Sequence, residues 1–216
     1  WNAVRVMNDS DTEGSVTLQI DYMDLAGNTS LTSQTTDTSS IIFDRTIPDM
    51  VIVSIESNNI YDESLAKVGD SVFVSFTSSE SVQLPTVLIG GLSSTVTGEG
   101  SYWTAAREMD AGDTDGDVSF AIDYMDMAGN EGIQDTETTD FSNVRFDNTP
   151  PTLTSVSIES DNYYDSTLAK VADEVTISFL TSEVVQLPIV TIDGDTAYVA
   201  GGDSIWTAVL SMTETN

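Results

Sequence analysis

Short runs in which apolar and polar residues alternate recur along the whole chain, and no window of roughly ten residues has a helical period. Alternation with a period of two is typical of β-strands that bury one face. Glycine, aspartate, asparagine and serine separate the runs, so the pattern predicts an all-β fold. The middle of the sequence predicts seven strands, whose inward residues are Val51, Val53 and Ile55; Val72, Val74 and Phe76; Val87 and Ile89; a weaker run near 92–97; Trp103 and Ala105; Val118, Phe120, Ile122 and Tyr124; Val144 and Phe146.

Several phrases return at an offset of about 103 residues, which indicates tandem structural repeats. We expect the end of one unit at 1–48, a complete unit at 49–150 and the first part of a third unit at 151–216. The phrases are WNAVRVM, WTAAREM and WTAVLSM at 1–7, 103–109 and 206–212; DYMDLAGN and DYMDMAGN at 21–28 and 123–130; IIFDRTIP and VRFDNTPP at 41–48 and 144–151; VSIESNNIYDESLAKVGD and VSIESDNYYDSTLAKVAD at 53–70 and 156–173; SSESVQLPTVLIGG and TSEVVQLPIVTIDG at 78–91 and 181–194.

Seven short strands in about 100 residues predict a seven-stranded immunoglobulin-like β-sandwich for each unit, with the repeated tryptophan in its core. The two ends of the chain are complementary, because 151–212 supply the strands that 1–48 lack. Two interpretations remain open. The chain is a window of a longer polypeptide, as its first residue, Trp1, favours, or partial domains of different molecules complete each other head to tail.

The chain is strongly acidic, with 36 Asp or Glu against 6 Lys or Arg and a formal charge of −30. Such a field repels nucleic acid and anionic lipid, so we expect neither as a partner, and it attracts cations. The absence of Cys and His excludes disulfides, thiolate sites and Ser–His or Cys–His catalysis, and it disfavours zinc. No apolar run approaches the roughly 20 residues of a membrane span.

The frame FDxTxPT, followed by Ser-Glu after a second strand and by DYxDxAGN before the last strand, resembles the bacterial immunoglobulin-like (Big-type) repeats of large cell-surface adhesins. The resemblance covers essentially the whole chain. It implies tandem extracellular domains that form a stalk, often stiffened by Ca²⁺. FDRTIPD at 43–49 departs from the frame, so we expect that linker to be less rigid than FDNTPPT at 146–152.

In a sandwich of this topology, the loops after the second and sixth strands meet the end of the preceding unit at one pole. Asp44, Glu80, Asp126 and Asn130 should therefore converge between the first two units. Clustered carboxylates repel unless a cation neutralises them, and Ca²⁺ takes six to eight oxygen ligands, so we predict a structural Ca²⁺ there. By the repeat, the corresponding residues at the other junctions are Asp147 and Glu183, and Asp24 and Asn28.

Structural readings of these acids stay open beside the calcium site. AGN is a good tight-turn sequence that an aspartate can cap, so the octapeptide can be a turn alone. Asp113, Asp115 and Asp117 resemble the opening of an EF-hand but lack its closing glutamate, which favours a solvated loop. Lys67 and Lys170 are candidates for a covalent bond to an asparagine, with a salt bridge as the alternative.

The sequence therefore predicts a non-enzymatic, extracellular structural protein: tandem repeats in an adhesin stalk or fibre that Ca²⁺ stiffens at the junctions. Paired carboxylates also occur in glycosidases, but here they recur in each unit and lie in predicted turns. The alternative is a self-assembling filament or surface-layer subunit. A ligand-binding module is a third reading, for which Tyr61, Tyr163 and Tyr164 are the only indications.

Overall fold

A computed structural model of the chain describes residues 1–214, and this range contains strands and no helix. The all-β prediction is confirmed. The chain divides into two compact units, Trp1–Asn148 and Thr149–Asn216. The division lies next to the expected boundary at 150/151, whereas the expected boundary at 48/49 lies inside the first unit. Within the described residues, no helix is long and apolar enough to cross a membrane.

The first 48 residues form two small antiparallel pairs. Strand β1 pairs with β4, and β2 pairs with β3 in a hairpin. Their apolar side chains remain exposed: Ile20 in β2 is 55 % exposed, whereas its repeat counterpart Ile122 is 0 % exposed. The bounds are β1 Gly14–Ser15, β2 Ile20–Met23, β3 Thr29–Thr32 and β4 Ile42–Phe43.

The middle of the chain folds into a four-stranded antiparallel sheet of order β10-β11-β7-β5 and two three-stranded sheets of order β13-β8-β9 and β12-β14-β6. In the last of these, β14 is parallel to β6. The bounds are β5 Met50–Ser57, β6 Leu65–Ala66, β7 Ser71–Ser78, β8 Thr86–Ile89, β9 Leu92–Ser93, β10 Thr95–Glu99, β11 Tyr102–Glu108, β12 Gly116–Asp117, β13 Phe120–Asp123 and β14 Arg145–Phe146.

These sheets share one hydrophobic core, which is consistent with a β-sandwich. Val74 and Trp103 enter it from the four-stranded sheet, and Ile89, Ile122 and Phe146 enter it from the other two. The buried residues alternate along β7 and β11, as period-two patterning requires. The Trp103 indole N–H donates to a backbone carbonyl, so this ring is a core residue with its polar edge satisfied. The prediction also holds for Trp206 but is wrong for Trp1, which is exposed.

One inward residue was assigned wrongly. Val51 is exposed, because the register of β5 against β7 shifts between Met50 and Ile52. An irregularity of this kind places two consecutive residues on one side of the strand and breaks the alternation that the prediction used. Met50 packs against the core instead.

The second unit repeats the first half of this architecture. It contains a four-stranded antiparallel sheet of order β15-β16-β20-β19 and the pair β17-β18. Val175, Ile192, Ala197 and Ala208 form a smaller core. The bounds are β15 Leu153–Ser160, β16 Glu174–Thr181, β17 Thr191–Ile192, β18 Asp195–Thr196, β19 Tyr198–Gly202 and β20 Ile205–Ser211.

Gly98 permits the close pairing of β10 and β11. A Cβ at this position would lie 2.2 Å from the Tyr102 carbonyl oxygen and 2.8 Å from the Trp103 Cα, and φ is 144°. We expect Gly98→Ala to lower the free energy of unfolding by about 2 kcal/mol, because the backbone must move. Gly91→Ala is the control: φ is 77° but nothing lies within 4 Å, so backbone strain alone should cost about 1 kcal/mol. Urea denaturation measures both, and equal losses would contradict the steric argument.

Candidate cation site

Asp126 organises the loop that follows β13. Its Oδ1 accepts the backbone N–H groups of Ala128, Gly129 and Asn130 at 2.8, 2.7 and 2.9 Å, and its Oδ2 accepts the Asn130 side-chain amide at 2.7 Å. The carboxylate is 0 % exposed. Gly129 supplies the left-handed conformation of the turn, with φ at 97°. The octapeptide therefore forms a capped turn, which fixes one carboxylate in place; whether the turn also binds a cation stays a prediction.

The loop that follows β7 is tied to this turn. Val82 forms a β-bridge with Asp126, and the Gln83 side-chain amide donates to the Asp126 carbonyl at 2.8 Å. At the end of β7, the Ser78 hydroxyl donates to the Glu80 carbonyl at 2.5 Å. These contacts hold Glu80 beside the Asp126 loop, because its backbone is anchored on both sides.

The linker between β4 and β5, residues 44–49, supplies the third acid. Asp44 directly follows β4, and its Oδ1 accepts the Thr46 N–H at 3.1 Å. The Asn130 amide donates to the Asp44 carbonyl at 3.4 Å, which joins the linker to the Asp126 loop. Pro48 is fully buried, so the linker is packed against protein at the point where it enters the sandwich.

Asp44, Glu80 and Asp126 each place one carboxylate oxygen within 4.8 Å of the other two. Ca²⁺ binds oxygen at about 2.3–2.6 Å, so two ligands on opposite sides of the ion lie about 5 Å apart. The three oxygens therefore have a spacing that one Ca²⁺ can span. Within residues 1–214, this is the only group of three acids that meets such a criterion.

The electrostatics of the cluster favour a cation. Partial burial raises the pKa of Glu80 above its ordinary value, and the charges of Asp44, Asp126 and Glu13 raise it further. Burial would also raise the pKa of Asp126, but the hydrogen bonds from the Asn130 side chain and the turn backbone outweigh it and lower that pKa. Asp126 thus stays ionised, and Glu80 carries a charge that the folded protein does not compensate.

Glu13 was missed by the sequence reasoning. Its carboxylate accepts the Arg45 N–H at 2.8 Å and the Thr46 hydroxyl at 2.9 Å, and these bonds lower its pKa. Asp115, one repeat later, accepts the Asn148 N–H at 2.8 Å in the same way. The acid that recurs at this position in two repeats was the available signal, but its partners, the Arg45 N–H and the Thr46 hydroxyl, lie 32 and 33 residues away and form no motif with it.

The remaining predicted ligands are placed as follows. Asn130 acts as a hydrogen-bond donor that positions Asp126, and its place in a ligand shell stays a prediction. Asp24 and Asn28 form the same turn in an exposed hairpin, with Asn28 donating to Asp24 at 2.8 Å. Asp147 belongs to the first compact unit and Glu183 to the second, so a site between them stays a prediction.

The other acidic loop is more than a solvated segment. Asp113 is nearly buried and receives two hydrogen bonds from Arg107, at 2.5 and 2.7 Å.

Lys67 and Lys170 have exposed side chains that pair with Asp70 and Asp173, so the salt-bridge interpretation describes them. The Asp173 pKa is lowered to about 2, chiefly by the Lys170 side chain. Tyr163 and Tyr164 form an exposed edge-to-face pair, and their role in ligand binding stays a prediction.

No family model, no curated protein and no solved structure matches this chain.

Proposed function

We propose that the chain is a non-enzymatic structural repeat region of an extracellular adhesin stalk or fibre, built of tandem immunoglobulin-like domains. One observation carries the proposal: three carboxylates from a linker and two loops of the following sandwich meet within 4.8 Å. A Ca²⁺ bound by Asp44, Glu80 and Asp126 would join these segments, so that the linker could not swing on the sandwich. The uniform acidity and the repeats support an extracellular location, as does the resemblance to adhesin repeats.

The chemistry of the donors selects Ca²⁺ among biological cations. All three charged ligands are carboxylates, and backbone carbonyls such as that of Asp44 lie beside them. Zn²⁺ prefers nitrogen or sulfur, and Mg²⁺ requires a tighter octahedral shell and retains its waters. A site fixed by only three carboxylates fits the weaker range of extracellular calcium modules, with a Kd on the order of 10⁻⁴ M.

Calcium titration tests this proposal directly. We expect isothermal titration calorimetry of the 216-residue chain to detect Ca²⁺ binding, which we assign to residues 44, 80 and 126. With a Kd on the order of 10⁻⁴ M, 10 mM CaCl₂ should raise the free energy of unfolding by about 2.7 kcal/mol relative to the protein in chelator. Scattering profiles should become more rod-like with Ca²⁺, because bending at the linker is restricted. Identical melting and scattering with Ca²⁺ and with chelator would disprove the calcium junction.

A charge-removing variant separates the cation site from general acidity. Glu80→Gln should weaken calcium binding at least about tenfold, because it removes a full ligand charge. It should also slightly stabilise the protein in chelator, since a carboxylate with a raised pKa is disfavoured when ionised. Glu108→Gln is the matched control, because it makes the same change on an exposed residue of β11. Equal effects of the two variants on calcium affinity would show that the protein attracts Ca²⁺ through its overall negative charge and not through this site.

A second candidate function is a filament or surface-layer subunit that is joined head to tail. It is favoured by the exposed apolar residues of 1–48, since Ile20 and Tyr22 are each 55 % exposed at repeat positions where Ile122 and Tyr124 are buried. Electron microscopy of the purified chain distinguishes the candidates: continuous filaments favour assembly, and dispersed rods favour the stalk.

A further inference from the structure

The pairing of β1 with β4 brings Glu13 to the start of the linker. The two strands are antiparallel, with Gly14 opposite Phe43. Glu13 directly precedes β1 and Asp44 directly follows β4, so the same register, continued by one residue, places these two acids opposite each other. A segment far away in the sequence is therefore close to one of the three acids of the candidate site.

The Glu13 carboxylate holds the two residues that follow Asp44. Its Oε1 accepts the Arg45 N–H at 2.8 Å and the Thr46 hydroxyl at 2.9 Å, and its Oε2 lies 3.1 Å from the same hydroxyl. The Thr46 N–H in turn donates to Asp44 Oδ1 at 3.1 Å. Thr46 thus connects the two acids, because its hydroxyl bonds to Glu13 and its backbone bonds to the Asp44 carboxylate.

Glu13 acts on the backbone of Arg45 and not on its charge. The Arg45 guanidinium donates to the Asp9 carbonyl, so the basic side chain of the linker is bound to another segment. The acids whose charges raise the pKa of Glu80 are Asp44, Asp126 and Glu13. Glu13 is therefore close enough to the cluster to influence it, while its own hydrogen bonds are made to the linker.

The next repeat contains the same contact. Strands β12 and β14 pair in the register of β1 and β4. Asp115 directly precedes β12, and its carboxylate accepts the Asn148 N–H at 2.8 Å. Asn148 follows Asp147, which is the repeat counterpart of Asp44. In two successive repeats, an acid on the neighbouring strand thus holds the residue that follows the junction acid.

The geometry places Glu13 beside the group of ligand oxygens. The carboxylate oxygens that lie within 4.8 Å of one another belong to Asp44, Glu80 and Asp126. Both oxygens of Glu13 are occupied by hydrogen-bond donors of the linker. Groups that orient metal ligands in this way contribute strongly to affinity, and their removal typically weakens metal binding about 10- to 100-fold.

We propose that Glu13 is a positioning residue of the cation site: it fixes Thr46, which holds the Asp44 carboxylate beside those of Glu80 and Asp126. This inference rests on the proposed calcium junction. It adds the segment before β1 to that junction, so a bound Ca²⁺ would connect the strand pair β1–β4, and not the linker alone, to the following sandwich. By linkage, Ca²⁺ should in turn strengthen the contact between Glu13 and the linker.

Calcium titration of two Glu13 variants tests this role. Glu13→Ala removes the acceptor and should weaken Ca²⁺ binding about tenfold. Glu13→Gln keeps a carbonyl oxygen that can accept the same two donors, and the charge that it removes is exposed and screened in 0.15 M NaCl, so affinity should fall by less than about threefold. Glu108→Ala is the control for net charge, because the exposed Glu108 pairs with the first residue of β7, at the end opposite to Glu80.

Thr46 offers a second comparison, in which the charge of the chain does not change. Thr46→Val removes the hydroxyl at nearly constant volume and should weaken Ca²⁺ binding about fivefold, the equivalent of one hydrogen bond. Thr46→Ser keeps a hydroxyl and should bind Ca²⁺ like the unaltered chain. Both variants retain the N–H that donates to Asp44, so their difference measures the contact with Glu13.

Hydrogen exchange in chelator measures the positioning without the ion. The Arg45 amide should exchange faster in Glu13→Ala and remain protected in Glu13→Gln. If Glu13→Ala binds Ca²⁺ like the unaltered chain, or if Glu13→Gln is as weak as Glu13→Ala, the positioning role is overturned and the calcium junction stands. If the unaltered chain binds no Ca²⁺, the junction is overturned together with this role, even where exchange still shows the Glu13 contact.

Discussion

Replacing Asp126 with alanine should lower the free energy of unfolding of the middle sandwich by about 3 kcal/mol in chelator, and by more in calcium, because the variant also loses a proposed ligand. The variant removes the acceptor of three backbone N–H groups and of the Asn130 amide. Donors that are left without an acceptor in a partly buried turn cost about 1–3 kcal/mol. Because Val82 and Gln83 are anchored to the same loop, the position of Glu80 should loosen as well.

The chain provides a matched control at Asp24. This residue accepts the Ala26 and Asn28 N–H groups and the Asn28 amide with the same geometry, but its hairpin is exposed. Water can replace its hydrogen bonds, so Asp24→Ala should leave thermal unfolding unchanged. Urea denaturation of both variants in chelator measures the difference. Equal losses at the two positions would mean that the turn, and not its burial against Glu80 and Asp44, determines the effect.

The same residue makes stability depend on pH in a predictable direction. The pKa of Asp126 is lowered from 3.8, so the folded protein releases this proton more readily than the unfolded chain. Its contribution is therefore complete above about pH 4 and is lost as the pH falls from there through the lowered pKa. Asp126→Ala should flatten this part of the stability profile, and Glu80→Gln should not, because the pKa of Glu80 is shifted in the opposite direction.

The parts of the fold that sequence reasoning predicted are those that periodicity and repetition control. Val72, Val74 and Phe76 alternate along β7 as their pattern indicates, and all three are buried. The convergence of Asp44, Glu80 and Asp126 followed from placing repeated phrases at one pole of an assumed sandwich. The burial of strand residues follows from strand periodicity, and the convergence of the acids follows from strand order; both can be inferred from the sequence.

The features that sequence reasoning missed depend on strand register, on hydrogen bonds to the backbone and on the burial of charged side chains. The register shift that exposes Val51 arises from one irregularity in pairing, which composition does not specify. Glu13 is held near the site because its carboxylate accepts the Arg45 N–H, 32 residues away, and the Thr46 hydroxyl. Asp113 was assigned to a solvated loop because its segment lacks the closing glutamate of an EF-hand, yet a buried arginine pairs with it. Each miss is a tertiary contact that overrides a local preference.

That buried ion pair leads to the second large effect: Arg107→Leu should lower the free energy of unfolding by about 4 kcal/mol. Both side chains are less than a tenth exposed, and the guanidinium also contacts the Met109 sulfur at 3.2 Å. Removing one partner leaves Asp113 as an uncompensated charge in the protein, which typically costs about 3–5 kcal/mol. Arg5→Leu is the control, because Arg5 is 72 % exposed and pairs with Asp11 at the surface, where the expected loss is under about 1 kcal/mol.

The repeats themselves contain the compensating change. At the positions of Arg107 and Asp113, the third repeat carries Leu210 and Asn216, so both charged residues are replaced there by uncharged ones. We therefore expect Arg107→Leu combined with Asp113→Asn to recover most of the lost stability, since no buried charge remains and an amide oxygen can still accept the Asp110 N–H. The double-mutant cycle, measured by urea denaturation, should give a coupling energy of about 2–3 kcal/mol. Additive losses would show that Arg107 acts by packing its stem against Met109, and that its charge contributes little.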